Sequence, residues 1–366
     1  MPEPTTGLPV VGMVGAGQLA RMTHQAAIAL GLSLRILADS PTDGAALIAP
    51  DVEIGAADDL EALQRFSKGC DVITFDHEHV PGEHLRALEA AGVAVRPGPD
   101  ALLFAQDKRA MRQRLGDLGL PMPHWTDDLQ ALSRPFVAKA VTGGYDGRGV
   151  WVVEDGDALP EIDLIGEELV AIERELAVQV ARSPSGELRT WPVVETVQRN
   201  GICVEVIAPA PSLDPVTAAA ARDIAETVAT ELGVVGVLAV ELFETSGGLL
   251  INELAMRPHN SGHWSIEGST TSQFTQHLRA VLDWPLGETA PVAPVTVMAN
   301  LLGGSSTDLT VNLPRALGGA PDVAVHLYGK SSRPGRKIGH VTALGDDVER
   351  VRARAHRAIE ALRGPA

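Results

Sequence analysis

Between Pro9 and Phe75 short apolar runs alternate with stretches of helical period, and few folds accept that alternation. Pro9 to Val14 reads as a strand, Gly17 to Leu30 as a helix with apolar residues spaced near 3.6, and Leu34 to Ala38 as a second strand. The helix-like stretch Asp58 to Ser67 leads into a third strand, Asp71 to Phe75. Strands joined through helices lie parallel, with helices covering both faces of their sheet. The expectation is an α/β chain opening on a doubly wound parallel sheet, closed by the breakers Arg96-Pro97-Gly98-Pro99.

The pattern then changes. Ala101 to Leu120 carries one helix-length pattern and runs into Pro121-Met122-Pro123. Beyond it, Phe136 to Ala140, Val150 to Val153, Leu176 to Ala181 and Trp191 to Val197 read as antiparallel strands linked by Gly-rich turns. Pro215 to Leu232 reads as an Ala-rich helix, and the strands Val237 to Glu244 and Leu249 to Leu254 meet at Ser246-Gly247-Gly248. From about Val295 short strands precede a terminal helix, Asp346 to Leu362. A chain of 366 residues, 45% hydrophobic, supports two or three packed units. The expected units are residues 1–100, an α+β unit over 101–295, and a small β-rich unit over 296–366.

A formal net charge of −17 argues against nucleic acid and against an anionic membrane surface as partners. The apolar runs are strand-sized, too short to span a bilayer, and Met1-Pro2-Glu3-Pro4 lacks a secretory pattern. The two cysteines, Cys70 and Cys203, have no metal-type spacing and suit a reducing cytoplasm. Of the five lysines, Lys108, Lys139, Lys330 and Lys337 fall in segments singled out on other grounds. A chain that otherwise uses Arg keeps Lys where a compact ammonium can meet a phosphate oxygen.

Gly15-Ala16-Gly17-Gln18-Leu19-Ala20 follows the first strand, opens the first helix and matches G-x-G-x-x-A, a turn whose amides approach an anion. Thr142 to Gly149 is a second Gly-rich loop, flanked by Lys139 and holding Arg148, with no Walker pattern; its amides can close over phosphates. Glu241 and Glu253 sit on consecutive strands, so that Glu241 faces Asn252 or Glu253 within reach of one hard cation such as Mg2+. Arg257-Pro258-His259-Asn260-Ser261-Gly262-His263-Trp264 reads as a loop of polar substrate contacts, with Arg257 able to hold a transferring phosphoryl group. Lys330 to Lys337 gathers four cations around a Pro-Gly turn, a clamp for a monoester phosphate.

Together these strings resemble the N5-carboxyaminoimidazole ribonucleotide synthetase family of ATP-grasp enzymes, through Gly15–Met22, Thr142–Gly149, Ile251–Trp264 and Arg333–His340 in order along nearly the whole chain. The resemblance implies a pre-ATP-grasp domain, an ATP-grasp domain with a mobile lid at about 134–197, and a C-terminal domain. It also implies a reaction in which ATP and bicarbonate, by way of carboxyphosphate, carboxylate the amine of 5-aminoimidazole ribonucleotide. By position, Lys108 and Lys139 would hold ATP phosphates under a loop that includes Gly144, Tyr145, Asp146, Gly147, Arg148, Gly149 and Val150. Glu167, Glu168, Leu169 and Val170 would form the adenine hinge, Glu175 would bind the ribose, and Gln198 and Asn252 would complete the nucleotide site. Glu241 and Glu253 would ligate Mg2+, and Arg257 would be catalytic. Gln18, Leu19, Asp76, Asn260, Lys330, Arg336 and Lys337 would bind the ribonucleotide, with Tyr145, Asp146 and Arg148 reaching from the loop. A homodimer is the implied assembly.

The chain departs from the family's usual pattern at Lys108 (often Arg), at Asp76-His77-Glu78-His79 (often Glu-Phe-Glu-Asn), at Gln198 (His) and at Met256 (Pro). Two other readings compete. A formate-dependent glycinamide ribonucleotide transformylase shares the Asn-Glu and Arg-Pro-His strings. A nicotinamide-dependent oxidoreductase would use the first glycine turn, with Asp39 as the ribose acid.

Overall fold

The computed structural model describes residues 7–144, 148–304 and 307–364. Its first unit holds β1 (Val10–Val14), α1 (Gln18–Leu30), β2 (Ser33–Ala38), β3 (Val52–Ile54), α2 (Leu60–Phe66), β4 (Val72–Phe75) and α3 (Gly82–Ala90). The four strands pair in the order β3-β2-β1-β4, all parallel. Three of these strands are the ones the strand–helix alternation predicts; β3, an edge strand joined to β2 by turns with no helix, is an addition that helical periodicity could not mark.

The helical pattern after Pro97 forms two helices rather than one, α4 (Pro99–Gln106) and α5 (Lys108–Asp117). Asp107 is the break. Its backbone is extended, its carboxylate caps the Ala110 amide, and it bridges to Thr142. Apolar periodicity alone cannot register this, because the side-chain cap competes with helical continuation at a single residue. The break starts a new helix at Lys108.

A small antiparallel sheet follows, made of β5 (Trp125–Thr126), β6 (Phe136–Ala140), β7 (Val150–Val153) and β8 (Leu164–Glu168) in the order β5-β8-β6-β7. The rest of the chain builds one nine-stranded sheet. It takes β9 (Arg174–Arg182), β10 (Leu188–Thr190), β11 (Val194–Arg199) and β12 (Ile202–Ala208), then, after α6 (Pro215–Glu231), β13 (Gly236–Thr245) and β14 (Gly248–Ala255). The short α7 (Ser265–Gly268) and α8 (Gln273–Val281) precede the last strands, β15 (Val295–Leu302), β16 (Ala324–Leu327) and β17 (Lys337–Gly345). Helix α9 (Leu309–Gly319) lies between β15 and β16, and α10 (Val348–Arg363) follows β17. Of the stretch 134–197, β6 to β8 belong to the small sheet, whereas β9 to β11 pair within the large one. Pairing of β12 with β15 makes the C-terminal strands continuous with the central ones.

Helix α8 joins the first sheet to the large one. Leu278 and Val281 pack against Val11, Met13 and Ile36, and His277 spans the seam. The Val237 amide donates to His277 Nδ1 at 3.1 Å, so the neutral ring carries its proton on Nε2, 2.8 Å from Thr74 Oγ1. Burial pulls this imidazole from its ordinary 6.5 down to about 3. Among the described residues no helix is long and apolar enough to cross a membrane.

His277 gives a test of that seam. Below pH 6.5 the unfolded chain binds a proton that the folded imidazole refuses, so stability present above 6.5 is lost progressively as pH falls toward about 3. His277→Gln is expected to lower stability by about 1–3 kcal/mol at pH 7, through its two strained or lost buried hydrogen bonds. The variant's urea midpoint should then fall less than wild type's between pH 7 and pH 5. Parallel decline of the two midpoints would contradict the assignment.

Candidate active site

A cavity of about 1020 Å3 lies between the small sheet and the large sheet, with the first unit closing one end. Its floor is the hairpin β13–β14. Glu241 lies directly across from Glu253, and the ladder slips immediately beside them: Leu242 faces Ile251, which leaves Asn252 as the extra residue of a β-bulge. In an unbroken strand neighbouring side chains point to opposite faces; at this bulge Asn252 and Glu253 both line the cavity.

Three cations converge on the bulge. Lys108 Nζ, placed by the break before α5, is 2.8 Å from Glu253 Oε1. Lys139 Nζ, on β6, is 2.9 Å from Asn252 Oδ1 and 2.8 Å from Glu167 Oε2. Arg112, fully buried on α5, donates Nε to Glu167 Oε1 at 2.8 Å. Its other two nitrogens donate to the carbonyls of Ile251 at 2.8 Å and Asn252 at 2.7 Å. Burial raises the Glu167 carboxyl, but Lys139 and Arg112 outweigh it and hold the group below its ordinary value. Lys139 is shifted downward by the same burial, against the pull of Glu167. The Glu167 side chain is therefore a structural counter-ion, only 2% exposed, beneath the segment Glu168-Leu169-Val170 that lines the cavity.

Val137, Val152, Leu169 and Phe243 give one part of the cavity an apolar wall. Val152 on β7 is 53% exposed, an apolar face uncovered toward open space. Glu175 lies nearby, its carboxyl raised by burial and hydrogen-bonded to Gln198.

At the other end the first unit supplies acids. Arg257 Nε donates to Glu78 Oε2 at 2.6 Å, and Asp76 accepts the Gly17 amide. Gly15 has φ +98°, and a Cβ there would fall 1.9 Å from Asp76 Oδ1. The glycine turn therefore makes room for the chain's own carboxylate at the N-terminus of α1. A dinucleotide pyrophosphate would need that amide, so the oxidoreductase reading loses the feature that suggested it. Burial pushes the Asp76 carboxyl up, opposed by His77, the Gly17 amide, Arg257 and Lys330. Lys330 itself donates to Gln18 Oε1.

The four singled-out lysines all line this cavity, as do Gln18, Leu19, Gly144, Val150, Arg257 and Asn260. Arg336 lies instead on an adjoining cavity of about 590 Å3 that shares Asp76, His77 and Lys330. Arg148 and Gly149 flank the loop without lining either cavity, and Tyr145, Asp146 and Gly147 lie outside the described residues. Two residues with evident work were not singled out, Arg112 and Glu78 as the partner of Arg257; His259, in the loop read as polar contacts, has its Nε2 3.8 Å from Glu241 Oε1. One Arg in a helix that also carries Lys108, Arg109 and Arg114 gives no sequence signal. The alternating Asp76-His77-Glu78-His79 string did offer one for Glu78.

For a divalent cation the donors fit: two facing carboxylates and an amide oxygen are hard ligands, and Mg2+ takes one or two carboxylates plus phosphate oxygens. Among the described residues no group of three or more His, Cys, Asp or Glu is placed to hold a metal, so an ion on Glu241 and Glu253 would complete its shell with other oxygens, of amide, phosphate or water.

Two facing sheets with lysines and hard oxygen donors between them define an ATP-grasp enzyme, and residues 121–274 match the ATP-grasp domain family. Residues 8–106 match the ribonucleotide synthetase preATP-grasp domain, and residues 296–354 the phosphoribosylaminoimidazole carboxylase C-terminal domain. The chain is 54% identical to the N5-carboxyaminoimidazole ribonucleotide synthase of Mycobacterium tuberculosis, over 97% of this chain and 88% of that protein. The crystal structure of N5-carboxyaminoimidazole ribonucleotide synthetase from Thermotoga maritima superposes with a TM-score of 0.87 at 36% identity, covering 96% of this chain and 98% of that one. The Aspergillus clavatus synthase, solved with ADP and 5-aminoimidazole ribonucleotide, gives 0.87 at 30% identity, covering 97% and 98%. The chain belongs to the N5-carboxyaminoimidazole ribonucleotide synthase family.

Arg112→Met tests the charge network. It leaves Glu167 short of a partner and two bulge carbonyls without donors, so it is expected to destabilise by about 3–5 kcal/mol. A urea midpoint equal to that of wild type would contradict this account.

Proposed function

We propose that the chain is an ATP-grasp ligase of purine biosynthesis. It carboxylates the amine of 5-aminoimidazole ribonucleotide to N5-carboxyaminoimidazole ribonucleotide, using ATP and bicarbonate and releasing ADP and phosphate. The observation that carries this is the similarity to synthases of that name over 97% of the chain, joined to a cavity in which lysines meet facing carboxylates.

In this reading Lys108 and Lys139 exchange their present partners, Glu253 and Asn252, for ATP phosphate oxygens. Lysine suits that exchange, since an ammonium re-aims its donors more freely than a guanidinium fork. The backbone of Glu167 to Val170 reads adenine against the apolar wall, and Glu175, with Gln198 beside it, binds the ribose. Glu241 and Glu253 hold magnesium, which when bound neutralises phosphate charge. Carboxyphosphate would be short-lived in water, so the loop at 144–150 and the small sheet act as a cover that excludes solvent. Arg257, fixed by Glu78, is the cation for the transferring phosphoryl group. The ribonucleotide lies toward Gln18, Leu19, Asp76, Asn260, Lys330 and Lys337, with Arg336 meeting its phosphate in the adjoining cavity.

The assembly is a homodimer, the compartment is the cytoplasm, and the units are residues 1–100, 101–295 and 296–366. The donor chemistry of Glu241, Asn252 and Glu253 supports magnesium, and family resemblance supports the homodimer.

ADP release by the purified chain is expected to require 5-aminoimidazole ribonucleotide and bicarbonate together. ADP release with formate and glycinamide ribonucleotide instead would favour the transformylase reading. Glu253→Ala should lower ATP turnover by about 100-fold or more, through loss of a charge-stabilising ligand. Near-normal turnover in that variant would remove the metal assignment.

A further inference from the structure

The loop that carries His259 and Asn260 into the cavity makes one 3-10 turn of its own, Asn260–Gly262, and a neighbouring side chain holds the residue before that turn at both of its backbone groups. Gln273, the first residue of α8, is fully buried. Its Oε1 accepts the His259 amide at 2.8 Å, and its Nε2 donates to the His259 carbonyl at 2.8 Å. A backbone N–H only donates and a carbonyl only accepts, so these two bonds fix which way round the carboxamide lies. The second Nε2 hydrogen then points to His263 Nδ1, 2.9 Å away. Nδ1 of His263 must be the acceptor, and that tautomer carries its proton on Nε2. One side chain thereby clamps both ends of a residue on the cavity wall and sets the imidazole four residues on.

The surroundings are shaped for this carboxamide. A Cβ at Gly262 would come within 2.4 Å of Gln273 Oε1 and 2.7 Å of Cδ, so glycine there leaves space for the amide. Ser265 Oγ accepts the Gln273 backbone amide at 2.9 Å, which seats the start of the helix. What the clamp presents lies on the other side. His259 Nε2 is 3.8 Å from Glu241 Oε1, and Asn260 exchanges amide hydrogen bonds with Asn300 at 3.0 and 2.7 Å. Lys108 and Lys139 hang from α5 and β6 and owe nothing to this loop.

We infer that Gln273 is a positioning residue for the acceptor half of the site: it sets the backbone of His259 and so the reach of Asn260, without touching substrate itself. The inference rests on the proposed reaction for the identity of the acceptor. Its consequence is selective. Removing the carboxamide should let the loop shift and weaken use of 5-aminoimidazole ribonucleotide, while nucleotide affinity stays as it was.

The test uses the full chain and two variants made at different residues. Gln273→Met keeps length and burial but deletes all three hydrogen bonds; Gly262→Ala keeps Gln273 and displaces its amide. Each is expected to raise KM for 5-aminoimidazole ribonucleotide about ten-fold or more, the scale of one or two lost buried hydrogen bonds. The Kd for ADP without magnesium, measured by calorimetry, should remain within about two-fold, inside the scatter expected for uncoupled sites, because Lys108 and Lys139 lie off this loop. The double variant should be little worse than either single one, because both act through the same displaced amide. Acceptor KM at the wild-type value in either folded variant would overturn the inference. So would an equal loss of nucleotide affinity, the mark of a merely structural role. Should Gln273→Met fail to fold, Gly262→Ala decides alone. Failure of the proposed reaction is distinguishable, since it would appear in the wild-type chain as ADP release indifferent to the acceptor.

Discussion

Buried charge is what the structure is organised around. Arg112 and Glu167 are almost wholly removed from water, and Lys139 nearly so, and a buried ion without a partner costs several kcal/mol. Each of the three therefore has fixed neighbours, and those neighbours lie on different elements: α5, β6, β8 and the bulge of β14. The network ties the small sheet to the large one at a single place. It also presents Asn252 and Glu253 together, because the carbonyls that Arg112 grips are those of the bulge itself.

The same logic operates at the far end of the crevice. A helix N-terminus attracts an anion. Here the anion is Asp76, and the glycine turn serves chiefly to let its carboxylate in. Glu78, two residues on, fixes Arg257 from the large sheet's loop. The first unit thus contributes no dinucleotide site. It brings acids up to a wall whose cations come from elsewhere in the chain, and the crevice exists only where the units meet.

Three strands of the parallel first sheet were legible because their apolar runs alternate with helical stretches, while the three-residue edge strand β3 was not; β6 and β7 follow the bounds that their apolar residues mark. The pairing of Glu241 with a residue near Glu253 was legible from the shortness of the turn between their strands. What periodicity could not show was anything set by one side chain. Asp107 starts a helix by capping the Ala110 amide, which divides the stretch read as continuous. Asn252 is a bulge only because of how two strands register. Arg112, lying in an amphipathic pattern, looks like any solvated arginine until the strand carbonyls above it are known. The extent of the large sheet was likewise hidden, since the pairing of β12 with β15 joins residues about ninety positions apart. Of the loop read as closing over phosphates, Tyr145 to Gly147 lie outside the described residues.

The central claim is that the bulged strand and its cations form the platform for nucleotide and metal. It is tested most directly by a crystal structure with a non-hydrolysable ATP analogue and magnesium. The account predicts the ion on Glu241 and Glu253, with Lys108 and Lys139 moved from Glu253 and Asn252 onto phosphate oxygens. A structure in which the nucleotide lies elsewhere while Lys108 stays paired with Glu253 would contradict it.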